Sequence, residues 1–314
     1  MRAAAVLGPG LDESALEPFR STRAEVFLLK SLPAHAELDA LLVFGGDGTV
    51  HHQLPFVTER KIPLLVVPFG SGNDFAACLG IRGREAALEL WRKFQSGTAT
   101  VRELDLGVIR CRGSGNGERE RREVASYVST PEISPERYFC NIAGVGLDAA
   151  ANRRANAYPR WLRAHGGYVL AALTAMCTEK PQKIAVSISG VGATGALQGE
   201  WSGWLHEPAT LVAIGNTQSY GGGMRITPRA QADDGKLDIC FVRECGALRL
   251  LQLFPSVFKG GHLDKAEIAY TQAELVRITT PKPMDIFADG EFAGQTPAEF
   301  SLLPRALRVI TPAG

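Results

Sequence analysis

A chain of 314 residues exceeds the size at which one hydrophobic core usually stops growing, so two domains are expected. Hydrophobic residues make up 45% and charged residues 21%, ordinary globular values with ample material for a core. The formal net charge of +1 excludes a global basic field for nucleic acid, and equally a strongly acidic surface.

The opening MRAAAVLGPG reads as a first strand, because its apolar patch is too brief for a signal peptide. AAAVL (3–7) and AEVFLL (24–29) look like short buried strands, and LDALLVF (38–44) and IPLLVV (62–67) are apolar throughout. Continuous apolar strands have both faces covered, which favours a parallel sheet flanked by helices. REAALELWRKFQSG (84–97) sets Ala87, Leu88, Leu90, Trp91 and Phe94 at helical spacing, with Gly97 as the stop. After about residue 105 the texture changes to short strand-like runs between turn signals. They are LGVIRC, SYVS, YFCNIA, KIAVSIS, ATLVAIG, KLDICFV, ELVRITT, MDIFAD, EFSLL and LRVITP. Two helical segments interrupt them, RWLRAHGGYVLAALTAMCTEK and LRLLQLFPSVFKGG. The expected division is an α/β domain over residues 1–107 and a β-rich domain over 108–314, with RGSGNGERERREVA (112–125) as an exposed hairpin loop. No apolar run reaches the roughly 18 residues that a bilayer span needs. Cys78, Cys111, Cys140, Cys177, Cys240 and Cys245 form no C-x-x-C pair, which points to reduced thiols in a cytoplasmic protein rather than zinc or disulfides.

FGGDGTVHH (44–52) closes the third strand. Its glycines let backbone N–H groups approach an anion without a Cβ in the way. TVHHQL then opens a helix whose N-terminus favours negative charge. Asp47 stands at the turn, able to orient a magnesium–phosphate group or a hydroxyl. The plain alternative is a tight strand–helix turn with no ligand. VVPFGSGNDFAACLG (66–80) repeats the pattern: a strand ends at Pro68, and Gly70, Ser71 and Gly72 form a loop. Asn73 and Asp74 either cap the next helix or face the same cleft. Both blocks lie at carboxyl ends of parallel strands, where open α/β sheets bind ligands. No G-x-x-x-x-G-K-[ST] occurs, and GVGATG (190–195) lacks the following helix that a dinucleotide site requires.

GGDGT, PFGSGNDFA, NIAGVGLDA (141–149), GGGMRITPRAQADDGKLDI (221–239) and DGE (289–291) follow one another in this order. The series resembles the catalytic domain shared by diacylglycerol kinases, sphingosine kinases and the soluble bacterial lipid kinases, and is most similar to the bacterial branch. The likeness runs from about residue 3 to residue 312. It implies an N-terminal Rossmann-like α/β nucleotide domain and a C-terminal β-sandwich-like domain, with ATP between them. It further implies transfer of the ATP γ-phosphate to a lipid hydroxyl with Mg2+. By that resemblance Gly45, Gly46, Asp47, Gly48, Thr49, Gly70 and Ser71 contact ATP, and Asn73, Asp74 and Asp105 line the cleft. Asp47, Asp289 and Glu291 are then catalytic, Glu291 being the proton acceptor. The DDGKLD block resembles a second magnesium site, with the Asp234 carboxylate and the backbone carbonyls of Gln231 and Lys236. The chain departs from the family at His51-His52, where Asn-Glu is usual, so a carboxylate near the cradle is lost. Adjacent helical histidines point in different directions, so a two-histidine metal site is not expected. The family's early turn appears only as LGPG (7–10), and the stretch after LLKSL is short, which leaves any contact from Ser31 open.

Phosphoryl transfer needs positioning and charge neutralisation more than covalent chemistry, plus a carboxylate to take the alcohol's proton. Asp289 and Glu291, two apart around Gly290, share one side of an extended segment; alternatively they form an ordinary Asp-Gly hairpin. RWLRAHGGYVLAALTAM (160–176) suits a membrane surface, the wall of a groove, or simply a core helix. The expected protein is a cytoplasmic, ATP- and magnesium-dependent lipid kinase that meets its substrate at a membrane surface. It has no nucleic-acid partner and no transmembrane segment, and an exposed edge strand is open to homodimer pairing. Its rivals are a NAD-kinase-like kinase of a soluble substrate and a non-catalytic nucleotide- or lipid-binding protein. Diacylglycerol, a sphingoid base, a ceramide, a monoacylglycerol and a polyprenol all carry the required hydroxyl.

Overall fold

The apolar runs near the start become β1 (Arg2–Leu7), β2 (Glu25–Leu28), β3 (Ala40–Gly45) and β4 (Leu64–Pro68). A computed structural model describes residues 1–33, 36–70, 72–111, 136–159, 162, 166–190 and 201–313. The four strands lie parallel in the order β2-β1-β3-β4. Leu41, Leu42, Val43 and Phe44 of β3 are fully buried, as a strand covered on both faces requires. Four helices connect or cover these strands: α1 (Asp47–His51), α2 (Leu54–Arg60), α3 (Asp74–Cys78) and α4 (Arg84–Gln95). α4 buries Ala87, Leu90 and Trp91, and the Trp91 indole N–H donates to the Phe19 carbonyl at 2.8 Å. Gly97, at φ +72°, ends the segment in the left-handed region that glycine enters freely.

β5 (Thr100–Cys111) leaves this layer and enters the second. There follow β6 (Arg137–Phe139), β7 (Ile142–Gly146), α5 (Leu147–Ala157), α6 (Gly167–Thr178), β8 (Gln182–Ser189) and β9 (Ser202–Gly215). Next come β10 (Leu237–Arg243), α7 (Ala247–Val257), β11 (Ile268–Ala273), β12 (Leu275–Thr279), β13 (Asp285–Ala288) and β14 (Glu291–Gln295). β15 (Ala298–Thr311) is last. All pairings in the second layer are antiparallel.

β5 and β15 form the seam between layers. β15 runs antiparallel to β5 over its whole length, and its end reaches β4, pairing Val309 with Leu64 in parallel. Leu104, Leu106, Leu307, Val309 and Ile310 therefore belong to the first core, whereas Ile109, Ala298 and Phe300 belong to the second. A register shift between Leu303 and Leu307, with Arg305 at φ +54°, lets one strand serve both. EFSLL and LRVITP are thus one strand, not two.

YFCNIA, conversely, is two strands, β6 and β7, broken at Cys140 and Asn141. α5 has no counterpart in the expected pattern. LDAAANRRANA buries small residues, Ala149, Ala150, Ala151 and Ala155, so its apolar stripe is too slight to stand out. The SYVS run and the 112–125 loop lie outside the described residues, as do GVGATG beyond Gly190 and residues 160, 161 and 163–165.

Candidate active site

The cradle begins where β3 and β4 end side by side, Gly45 opposite Pro68. Their loops press backbone on backbone. A Cβ on Gly70 would stand 2.5 Å from the Gly46 Cα, and one on Gly46 would stand 3.0 Å from the Gly70 Cα. Thr49 tucks beneath the strand end, since a Cβ on Gly45 would meet its hydroxyl oxygen. Asn73 adopts φ +49° and closes its own loop, its Oδ1 accepting the Gly70 N–H at 2.9 Å. The cap of α3 comes from Asp47 instead, whose carboxylate accepts the N–H groups of Asp74 (3.0 Å) and Phe75 (2.9 Å). Burial pushes the Asp47 carboxyl up to about 6; the Phe75 amide opposes this, and the nearby Asp74 charge adds to it. Ser71 lies outside the described residues.

Asp74 and Asp105 reach across to the second layer. The buried Asp74 carboxylate accepts the N–H groups of Gly222 and Gly223, each at 2.8 Å, and burial pushes its carboxyl up. Gly221, Gly222 and Gly223 all have positive φ, so the bare amides turn towards the acid. Asp105, on β5, accepts the N–H groups of Gly235 (2.8 Å) and Arg305 (2.9 Å), pinning the ADDGK turn and the bend of β15. On that turn the Lys236 N–H donates to Asp234 at 3.0 Å, while Asp233 pairs with Arg102 at 2.7 Å. Gln231 and Asp234 are exposed there.

The opposite wall is the β13–β14 hairpin. Asp289 (φ +51°) and Gly290 (φ +89°) make the two-residue turn that suits the twist of paired strands. The Asp289 carboxylate points inward and accepts the N–H groups of Cys140 and Asn141, each at 2.8 Å, and of Ile142 at 3.2 Å. The break between β6 and β7 thus serves as a nest for this acid. His51 Nδ1 lies 3.2 Å from the same carboxylate. Glu291 differs. Partly exposed, it accepts no hydrogen bond from the described residues, and its Oε1 hangs 3.0 Å from where a Cβ on Gly48 would be. Facing it is the His52 imidazole, with Nε2 at 3.9 Å. Residues 45–49, Gly70, Asn73, Asp74, Asp289 and Glu291 therefore meet at one cleft.

The sequence had suggested no partner for the two histidines, nor the Cys140 and Asn141 amides. A third feature was also missed. An apolar cavity of about 70 Å³ lies among α5, α6 and α7, lined by Leu147, Ala151, Ala172, Met176, Leu253 and Phe254. At its polar end the buried Asp148 accepts the Tyr168 hydroxyl at 2.7 Å and the Asn152 amide at 3.2 Å, and Tyr220 also bonds to it. Burial pushes the Asp148 carboxyl up. The i, i+4 spacing of Asp148 and Asn152 in an alanine-rich run was the available signal. α5 joins this cavity to the cleft, because the Asn156 amide donates to the Gly290 carbonyl at 2.9 Å.

Residues 15–109 match the diacylglycerol kinase catalytic domain, and residues 141–311 match the YegS C-terminal NAD kinase beta sandwich-like domain. A diacylglycerol kinase of Mycobacterium tuberculosis is 33% identical over 276 residues, covering 87% of this chain and 77% of that protein. A diacylglycerol kinase of Bacillus subtilis is 25% identical over 278 residues, covering 88% and 78%. Among solved structures, a diacylglycerol kinase from Bacillus anthracis superposes with a TM-score of 0.61 at 18% identity, over 99% of this chain and 96% of that one. Yeast NADH kinase complexed with NADH shares the fold with a TM-score of 0.52 at 10% identity, over 99% and 83%.

Proposed function

The chain belongs to the diacylglycerol kinase family, and from that premise we propose that it is a lipid kinase transferring the γ-phosphate of ATP to a lipid hydroxyl. The observation that carries this reading is the meeting of Glu291 with the glycine cradle: a carboxylate with no hydrogen bond from the described residues stands over Gly48. In this reading residues 1–107 form the nucleotide side and 108–314 the substrate side. Gly45, Gly46, Gly48, Thr49, Gly70 and Ser71 receive the phosphates, and the close approach of Gly46 and Gly70 leaves no Cβ between phosphate and backbone. Asp47 holds α3 in register, while Asp74 and Asp105 hold the two layers in the geometry the cleft needs. Asp289 orients the hairpin and Glu291 accepts the hydroxyl proton.

Among the described residues no three His, Cys, Asp or Glu side chains converge as a metal cage. Magnesium would arrive with the nucleotide and would neutralise the charge that builds on the phosphates. A second magnesium position would use the Asp234 carboxylate with the carbonyls of Gln231 and Lys236.

The cavity among α5, α6 and α7 has an apolar lining with Asp148, Tyr168 and Tyr220 at its polar end, a chemistry in keeping with an acceptor that has an apolar body. Among the described residues no helix is long and apolar enough to cross a membrane. Leu248, 72% exposed on α7, and Leu170 on α6 give this face an apolar rim for peripheral contact with a bilayer. A cytoplasmic location and homodimer pairing through an edge strand belong to the same reading.

The test is phosphate transfer from labelled ATP with magnesium to mixed micelles of diacylglycerol, monoacylglycerol, sphingoid base, ceramide or polyprenol, with NAD as the soluble control. One labelled lipid, lost in Glu291→Gln, is the expected result. Labelled NAD and no labelled lipid would transfer the assignment to a soluble acceptor. ATP binding with no product at all would favour a binding protein.

A further inference from the structure

Two histidines close α1, and they meet the two acids of the hairpin one to one. His51 Nδ1 lies 3.2 Å from Asp289 Oδ2, with side chains 15% and 0% exposed. His52 Nε2 lies 3.9 Å from Glu291 Oε1, with side chains 52% and 39% exposed. The inner pair is a made contact, locked by the amides around Asp289. The outer pair stands a small side-chain rotation from a hydrogen bond, and its imidazole is open to water. The two rings meet edge to face with centroids 5.7 Å apart, so the fixed His51 limits where His52 can swing.

We propose that His52 acts through Glu291, taking up the substrate proton that Glu291 receives and leading it out to water. The proposal rests on the lipid-kinase reading. As the lipid hydroxyl oxygen bonds to the γ-phosphorus, the bridging P–O bond breaks and its electron pair leaves with ADP. The hydroxyl proton passes to the Glu291 carboxylate. It then moves through Oε1 to the bare Nε2 of a neutral His52 imidazole, and from the imidazolium to bulk water. An imidazole is ordinarily a stronger base than a carboxylate, and the burial of His52 narrows that difference. Burial pushes the His52 imidazole below its usual range, Glu291 raises it, and His51 lowers it again. Those two are the titratable groups that act on it, one from the hairpin and one from its own helix. His52, with 52% of its side chain exposed, opens that path to water.

Two variants and one spectrum test this. His52→Gln can hold Glu291 by a hydrogen bond but cannot carry a proton; its kcat is expected to fall roughly 10²-fold with KM for ATP unchanged. His52→Ala is expected to lose as much, and imidazole added to the buffer restores part of its kcat, more at a pH where free imidazole is neutral. Glu291→Gln gains nothing from imidazole. A His52→Gln enzyme with unchanged kcat, or a His52→Ala enzyme indifferent to imidazole, overturns the proton exit. Separately, the His52 ring protons are titrated by NMR in the wild type and in Glu291→Gln. The His52 pKa is expected to drop when the neighbouring carboxylate is removed. An unmoved titration overturns the pairing itself. Because the titration needs no substrate, a wild type that phosphorylates no lipid would overturn the kinase reading and the proton exit with it, while the titration still decides the His52–Glu291 pairing.

Discussion

The two walls of the cleft are built on opposite terms. The α/β wall works by leaving side chains out: Gly46 and Gly70 touch through their backbones, with no room for a Cβ between them. The hairpin wall works by placing two carboxylates that differ in what surrounds them. Asp289 has its oxygens engaged by three amides and a histidine, whereas Glu291, two residues on, is left to chemistry. On the first wall an added methyl group is the damaging change. On the second it is the loss of a charge, and which charge is lost decides whether activity or stability suffers.

Substitutions at the two acids should separate these effects most widely. Glu291→Gln is expected to lower kcat by roughly 10³-fold, the range for losing a general base, while the denaturant midpoint stays put. Asp289→Ala strands three buried amides and is expected to cost about 3 kcal/mol in urea unfolding, with activity lost alongside. Equal stability losses at both positions would erase the division between anchor and base.

The glycines offer the next test. Gly70→Ala drives a methyl into the Gly46 backbone, so the strand ends must part; about 2 kcal/mol of stability and a higher KM for ATP are the expected costs. Gly48→Ala meets only the flexible end of Glu291, so stability should hold while kcat falls. Calorimetry with initial-rate kinetics reads both, and a Gly70→Ala enzyme of normal KM would show that the cradle tolerates a Cβ.

Asp47 belongs to both walls in kind, an acid set within the glycine loop. Its folded-state carboxyl is raised to about 6 from an ordinary 3.8. The folded protein therefore binds its proton more readily than the unfolded chain between those values. The unfolding free energy should fall as pH rises through this window, and the cost is fully present above it. In Asp47→Asn that step disappears, so wild type and variant diverge by about 3 kcal/mol between acid and neutral pH. Urea unfolding of both across that window is the check, and parallel curves would mean the carboxyl is not raised.

Much of the cradle was legible in the sequence because its signals are local. GGDG after LDALLVF needs only strand, turn and helix periodicity to be read, and β3 and α1 occupy those positions. The Asp289-Gly290 turn was equally local. What the sequence hid is contact at long range: His51 with Asp289, 238 residues apart, and Asp289 with the Cys140 amide, 149 apart. Nothing in YFCNIA marks the break at Cys140, because strand propensity continues through it. Spacing offers Asp74 either as a helix cap or as an acid facing the cleft, and the resemblance sets Asp105 in that cleft too. In the folded chain their oxygens hold Gly222, Gly223, Gly235 and Arg305, which no spacing rule reveals.

The ADDGK turn carries the smallest expected effect and the clearest internal control. Two acids hold it, one inside and one outside. Asp105 is buried and satisfies two backbone amides; Asp233 pairs with Arg102, with side chains 43% and 42% exposed. An exposed ion pair gains little over its hydrated parts and is screened by salt. Arg102→Ala should therefore cost about 0.5 kcal/mol in low salt and less in high salt, with kinase activity unchanged. Asp105→Ala leaves the part-buried N–H groups of Gly235 and Arg305 without their carboxylate and frees the bend of β15, so its cost should be larger and less sensitive to salt. Unfolding both variants at two ionic strengths measures the contrast. If Arg102→Ala proved as damaging as Asp105→Ala, the turn would be held from its solvent side, and the seam between the layers would depend on charge rather than on backbone amides.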